Sequence, residues 1–245
     1  MDMDLKGKVA IVTGGGTGIG EAICLALARE GANIVIANRN IENAKLVLSE
    51  VKKMKVDGLA LCTDVTKKKD VENMIRCVID KFGKVDILVN NAGILHGVQI
   101  EDLKEDDWDK VVDTNLKSVF LCSKLVLIEM MKKKYGKIIN ISSMAGECGG
   151  IYSGVDYSAA KGGVIALTKC LALKGAGYDI NVNSVAPGRI KTKSTEHLNF
   201  TSSGIPLGRI GAVEDVADTV VFLSSDRSSY ITGATIDVNG GLLMR

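Results

Sequence analysis

Residues 8–20 read KVAIVTGGGTGIG, and this stretch decides the fold. Its first half is an unbroken run of small and β-branched apolar residues, the pattern of a strand buried on both faces. Its second half is a cluster of glycines, after which Ile19, Ala22, Ile23, Ala26 and Leu27 fall on one face of a helix running from Gly18 to about Arg29. Strand, tight glycine turn and helix together open a parallel βαβ unit.

The same pattern repeats along the chain. NIVIAN at 33–38, GLALCTDV at 58–65, VDILVNNAG at 85–93, GKIINISS at 136–143, INVNSVAPG at 180–188 and ATIDVNGG at 234–241 read as further strands. Helices are predicted over about 41–53, 67–81, 106–133, 155–175 and 213–224. The alternation implies an α/β fold, with a doubly wound parallel sheet of about seven strands covered by helices on both faces. We read residues 1–245 as a single Rossmann-type domain, with a short lid at about 189–212. Such sheets bind ligands outside the carboxyl ends of their strands. The unusual stretches 13–20, 38–39, 64–65, 90–93, 142–143 and 187–192 all fall there.

Composition narrows the function. Hydrophobic residues make up 46% of the chain, enough for a packed core. The 31 Lys and Arg nearly balance the 29 Asp and Glu, which gives no footprint for nucleic acid or a membrane surface. No apolar run approaches the roughly 20 residues of a spanning helix. The opening MDMDLKGKVAIV lacks a leader layout, so a soluble cytoplasmic protein is expected. The six cysteines form no C-x-x-C pair and there are two histidines, His96 and His197, so no metal site is expected. Cys148 lies between Ser143 and Tyr157, where a reactive thiol would be near the site.

The glycine loop suits a nucleotide. Gly14, Gly18 and Gly20 give G-x-x-x-G-x-G, a spacing that lets a pyrophosphate approach the backbone at a helix N-terminus. At the end of the second strand, where a ribose-binding acid is usual, stand Asn38 and Arg39. A carboxylate there would repel a 2′-phosphate and an arginine would pair with one, which favours NADPH/NADP+ over NADH/NAD+. Asp64 is placed to accept a hydrogen bond from an adenine amino group, and equally to fix a turn.

The second chemical signal is YSAAK at 157–161, with Ser142 and Ser143 before it. Tyr157 and Lys161 are four residues apart, on one helix face. A phenol is a weak acid with an ordinary pKa near 10, and a cation one turn away lowers it. The stretch therefore reads as a proton donor with its tuner, or as an ordinary helix surface.

Taken in order, TGGGTGIG at 13–20, DV at 64–65, NNAG at 90–93, Asn115 in VVDTNL, Ser143 in ISS, YSAAK at 157–161, PGRIKT at 187–192 and IDVNGG at 236–241 resemble the short-chain dehydrogenase/reductase family over essentially the whole chain. In overall pattern the chain is most similar to its 3-oxoacyl-(acyl-carrier-protein) reductases. The resemblance implies an NAD(P)-dependent oxidoreductase that interconverts a ketone and a secondary alcohol. It makes Tyr157 the general acid, Lys161 its tuner and ribose ligand, Ser143 the carbonyl-orienting group and Asn115 the holder of a water that links Lys161 to solvent. It assigns cofactor contacts to Gly14, Gly16, Thr17, Gly18, Ile19, Gly20, Asn38, Arg39, Asp64, Val65, Asn91, Ala92 and Gly93. Asn90 joins them beside the adenosine ribose, and Pro187, Gly188, Ile190 and Thr192 complete the set, the last two at the nicotinamide carboxamide. It also implies a homotetramer or dimer.

The chain departs from the family pattern at Thr17, where many NADPH-using relatives carry a basic residue, in a short lid, and at Arg189, where an apolar or small residue is more usual. Arg189, Lys191 and Lys193 form a basic strip that reads either as a site for an anionic keto acid or phosphopantetheine thioester, or as a solvated lid. Leu95 and His96 are further candidates for the pocket wall. Lys132, Lys133 and Lys134 suit an acidic carrier protein, or simply a helix end. Reductases of sugars, steroids and xenobiotic ketones share the tail motifs, so another small carbonyl remains an alternative substrate. A non-catalytic nucleotide-binding regulator is the alternative from another class, and the intact Asn115, Ser143, Tyr157 and Lys161 argue against it.

Overall fold

The apolar run after Lys8 forms strand β1, Val9–Thr13, buried along its whole length. The computed structural model describes residues 3–95, 97–150 and 153–244. Seven strands follow in parallel: β1, β2 (Asn33–Asn38), β3 (Gly58–Cys62), β4 (Ile87–Asn90), β5 (Gly136–Ile141), β6 (Ile180–Pro187) and β7 (Thr235–Val238). Their order in the sheet is β3-β2-β1-β4-β5-β6-β7. The chain winds outward from β1 to β3, then returns to the other side of β1 as β4. That reversal opens a crevice above β1 and β4, the switch point of a doubly wound sheet.

Strand periodicity divides the core. Ala10 and Val12 face the layer of α1 (Gly18–Arg29), α2 (Ile41–Lys53) and α8 (Val213–Ser224), against Ile23, Leu27, Val47 and Val220. Val9 and Ile11 face α3 (Lys68–Phe82), α5 (Ser118–Lys133) and α7 (Val155–Gly175), against Met74, Val78, Val126 and Met130. Fully burying one such side chain contributes about 1.5–3 kcal/mol. Both faces are therefore covered, as the unbroken apolar strands require.

Two predicted elements differ. The helix expected over 106–133 is α4 (Glu105–Val112), then a π-turn at Asp113–Lys117, then α5. The strands also stop earlier than their apolar runs suggest: β3 ends at Cys62, β4 at Asn90 and β5 at Ile141. The motif residues beyond them have left the ladder and curl over the sheet end. A short helix, α6 (Ala145–Cys148), occupies part of the expected loop after β5. Among the described residues no helix is long and apolar enough to cross a membrane.

Candidate active site

The carboxyl ends of the strands enclose a cleft of about 1390 Å³. Its floor is the glycine loop. Gly14 has φ +65°, and a Cβ on it would lie 2.9 Å from Ala92 Cα. A Cβ on Gly20 would collide with the carbonyl of Gly14, so α1 can pack this close to the loop only with glycine there. Thr17 is the N-cap of α1 but makes no side-chain cap bond. The first amides of the helix thus have neither an intrahelical partner nor a hydroxyl cap. This is a cradle for an anion, and its glycine walls fit a pyrophosphate. Gly14, Thr17, Gly18, Ile19 and Gly20 line the cleft. Gly16 does not: it is buried behind the loop, where a Cβ would meet Asn38 and Asn43.

At the end of β2, Asn38 Nδ2 donates to the carbonyl of Asn40 at 2.8 Å, and Asn40 caps α2 by accepting from the amides of Glu42 and Asn43. Arg39, held between them, is exposed on the cleft and pairs with no carboxylate among the described residues. Asp64 Oδ1 accepts from Thr66 N and Thr66 Oγ1, and its other oxygen lies 3.5 Å from Lys67 Nζ. Burial would raise the Asp64 pKa, but these partners together hold it below the ordinary value. Its carboxylate is thus fixing the turn after β3, with Val65 buried beside it.

The first residues after β4 lean on β1. Thr13 Oγ1 accepts from the amides of Asn91 (3.0 Å) and Ala92 (3.1 Å), and Asn91 Nδ2 donates to the carbonyls of Thr13 and Gly14. Thr13 was not among the residues singled out from sequence, yet it ties the Asn-Asn-Ala-Gly turn to the glycine loop. Asn90, expected at the cofactor, instead points into the protein. It donates to Ser123 Oγ and Asn140 Oδ1, and Asn140 Nδ2 donates on to Thr168 Oγ1. This buried chain locks β4, β5, α5 and α7 together. Leu95 lines the cleft, while His96 lies outside the described residues.

Asn115 sits at the centre of the π-turn with its side chain fully buried. Oδ1 accepts from Ile94 N, and Nδ2 donates to the carbonyls of Ile94 and Val111. These three backbone bonds pull the helix against the turn after β4, which accounts for the break at 113–117. The side-chain amide is engaged with backbone at both its oxygen and its nitrogen.

Ser142 and Ser143 diverge. Ser142 Oγ donates to the carbonyl of Lys161 at 2.9 Å, joining β5 to α7. Ser143 Oγ accepts from Ala145 N at 3.1 Å and hydrogen-bonds the Tyr157 side chain. Lys161 is buried, donates from Nζ to the carbonyl of Ile141 at 2.7 Å, and lies 5.7 Å from the centre of the Tyr157 ring. Burial lowers its pKa from 10.5 to about 8. The Tyr157 phenol moves against expectation: burial raises it, and the Ser143 hydrogen bond offsets only part of that. Tyr157 is therefore protonated at neutral pH, as an acid must be.

Pro187 and Gly188 end β6, with the Pro187 carbonyl accepting from Met144 N and Gly188 N donating to Val238 O. Ile190 is buried, and Thr192 stands across the cleft from the glycine loop, 3.7 Å from where a Cβ on Gly18 would lie. The basic strip divides. All three line the cleft, but Arg189 donates to lid carbonyls, whereas Lys191 and Lys193 are exposed. Lys132 and Lys133 close the last turn of α5, and Lys134 is its left-handed cap. At about 1.5 Å per residue they lie some 27 Å along the helix from Asn115, outside this cleft. Cys148 is exposed at the cleft, with Sγ 3.4 Å from the Met144 carbonyl.

Residues 14–243 match a family model described as enoyl-(acyl carrier protein) reductase. The chain is 41% identical over 249 residues to a 3-oxoacyl-(acyl-carrier-protein) reductase of Thermotoga maritima, covering 99% of this chain and all of that one. It is 43% identical over 247 residues to the enzyme of the same name from Vibrio cholerae, with the same coverage. Among solved structures, a short-chain type dehydrogenase/reductase from Mycobacterium marinum superposes with a TM-score of 0.96 at 34% identity, covering 100% of this chain and 98% of that one.

Proposed function

The chain belongs to the short-chain dehydrogenase/reductase family, and on that premise we propose that its cleft reduces the 3-oxo group of an acyl thioester, carried by an acyl carrier protein, at the expense of NADPH. The protein is an NAD(P)-dependent oxidoreductase acting on CH–OH groups, of the 3-oxoacyl-(acyl-carrier-protein) reductase type. The observation that carries the reading is the convergence of Ser143, Tyr157 and Lys161 at the end of β5, beside an uncapped glycine-loop helix.

In this reading the first amides of α1 hold the pyrophosphate and Arg39 pairs with the 2′-phosphate. Asp64 and Val65 flank the adenine, and Ile190 and Thr192 meet the nicotinamide. The bound nicotinamide supplies the hydride. Ser143 donates a hydrogen bond that orients the substrate carbonyl. Tyr157 gives its phenolic proton to the carbonyl oxygen as negative charge develops there. The buried ammonium of Lys161 supports the resulting phenolate and holds the nicotinamide ribose. Asn115 holds the π-turn that shapes the wall behind Lys161.

The test is oxidation of NADPH and of NADH, side by side, with acetoacetyl-CoA. Turnover with NADPH supports the reading; no turnover with either cofactor on any 3-oxoacyl thioester removes it. Arg39→Ala should raise the KM for NADPH about tenfold and leave NADH unchanged, since only one of the two carries the phosphate that Arg39 meets. An equal effect on both cofactors would take Arg39 out of the 2′-phosphate site.

The pH profile supplies a further check. The ammonium of Lys161 is the working form, and burial lowers its pKa to about 8. kcat/KM for reduction should therefore be level below pH 8 and fall as pH rises through it, because the neutral amine no longer supports the phenolate. Whatever activity Lys161→Arg retains should lack that alkaline fall, since a guanidinium stays charged. A parent profile level to pH 10 would contradict the assignment.

Two coarser features complete the proposal. Phe120 and Ile128 on α5 and Leu173 on α7 are exposed apolar side chains, suited to burial against further copies in a homotetramer. All six cysteines are free, which suits the reducing cytoplasm.

A further inference from the structure

We propose that Arg189 is a positioning residue that sets the lid over the cleft and so gives the enzyme its preference for thioesters with an extended apolar acyl chain; this rests on the 3-oxoacyl reading above. Arg189 follows Gly188 at the end of β6. Its Nη1 donates to the carbonyls of Thr201 at 2.9 Å and Ser203 at 2.8 Å, across 12 and 14 residues of chain. Its own carbonyl accepts from Gly211 N at 2.9 Å, and Lys191 N donates to Gly211 O at 2.9 Å. The chain thus leaves the sheet at Arg189, passes over the cleft, and returns to be bonded to the residue from which it left.

The outgoing end is fixed separately. Thr192 and Thr195 form a reciprocal cap on the short helix Lys193–Leu198, and Thr195 Oγ1 donates to the carbonyl of Ile190 at 2.9 Å. The returning end turns at Asn199 (φ +45°), a left-handed conformation uncommon outside glycine, and at Gly204 (φ +79°), which glycine adopts freely. Arg189 does the holding: one guanidinium serves two carbonyls. Between the two fixed ends the lid turns Leu198 and Phe200 to the cleft. They add apolar surface to a rim that also carries Lys191 and Lys193.

A lid held in the resting protein does not have to be ordered by the substrate, which would otherwise weaken binding. An acyl chain long enough to reach Leu198 and Phe200 gains from that pre-ordering. A short ketone ester does not reach them and gains nothing. The anchor therefore bears on KM, and on long chains above short ones, while the chemistry at Tyr157 is untouched.

The experiment compares parent, Arg189→Met and Arg189→Lys on acetoacetyl and 3-oxodecanoyl thioesters at saturating NADPH, with NADPH affinity read by fluorescence. Arg189→Met should raise KM for the long thioester about tenfold and for the short one less than about twofold, with kcat and NADPH affinity held. Arg189→Lys should recover part of the loss. Phe200→Ala, which keeps the anchor, should give the same dependence on chain length. Equal rises at both lengths, a changed NADPH affinity, or no change would overturn the proposal. A parent that turns over neither thioester would remove the 3-oxoacyl reading and the chain-length preference with it. The anchor itself is then decided by hydrogen exchange over 196–204, which Arg189→Met must accelerate; unchanged exchange would overturn that too.

Discussion

Tyr157→Phe should leave a folded, cofactor-binding protein that reduces its substrate about 10²–10⁴-fold more slowly. Phenylalanine keeps the ring packed in its place on α7 and removes one oxygen. Lost with that oxygen are the hydrogen bond to Ser143 and the phenolic proton that Tyr157 holds at the end of β5. Among the described residues, neither serine beside Tyr157 substitutes well. Ser143 would have to give up an alcohol proton, which is far less acidic than a phenol's. Ser142 is turned away, donating to the Lys161 carbonyl. The measurement is single-turnover oxidation of NADPH alongside its dissociation constant from fluorescence. A kcat within threefold of the parent would remove Tyr157 from the chemistry. A parallel loss of NADPH binding would make it a binding residue instead.

Gly20→Ala should weaken dinucleotide binding by about a hundredfold or more, with a smaller loss of stability. The added Cβ meets the backbone carbonyl of Gly14, which is not the end of a flexible side chain, and the Asn91 amide that braces the loop. α1 must back away from the loop, and its first amides move with it. Overpacking of this kind costs about 1–3 kcal/mol. The effect on the ligand is larger, because every phosphate contact in that cradle depends on the same helix end. Calorimetric titration with NADPH and NADH, with thermal melts of the free protein, separates the two effects. An affinity within threefold of the parent would mean that the glycine loop does not carry the phosphates.

The sheet was legible because its inner strands are buried on both faces and several read as runs of small and β-branched residues, VAIVT in β1 above all. The glycine loop was legible because its backbone leaves room for no side chain at Gly20. What sequence did not reveal lies in side-chain direction. Asn90 and Asn91 are neighbours, yet one closes a hydrogen-bond chain inside the protein and the other braces the cleft. Adjacent residues at a strand end take opposite faces, and where β4 stops decides which is which. The break at 113–117 left no mark on the apolar periodicity, because it comes from the Asn115 amide binding Ile94, some 21 residues away. Thr13 was passed over since a threonine at a strand end is ordinary there; only its two accepted amides give it a role. The bonds from Arg189 to the carbonyls of Thr201 and Ser203 were not legible either, because no local pattern places that turn beside it.

Lys161 meets the end of β5 twice: its ammonium on the carbonyl of Ile141, the last strand residue, and its own carbonyl on the hydroxyl of Ser142, the next one. Strand and helix are stitched at the residue between acid and cofactor, and the Asn90–Asn140–Thr168 chain adds a second seam deeper in. A centre sewn in this way has no melting of its own. On heating, the reacting groups stay in register until β5 and α7 part, which is the loss of the central sheet itself. Activity and global structure should therefore disappear in one transition, with no warm, folded and inactive form between them.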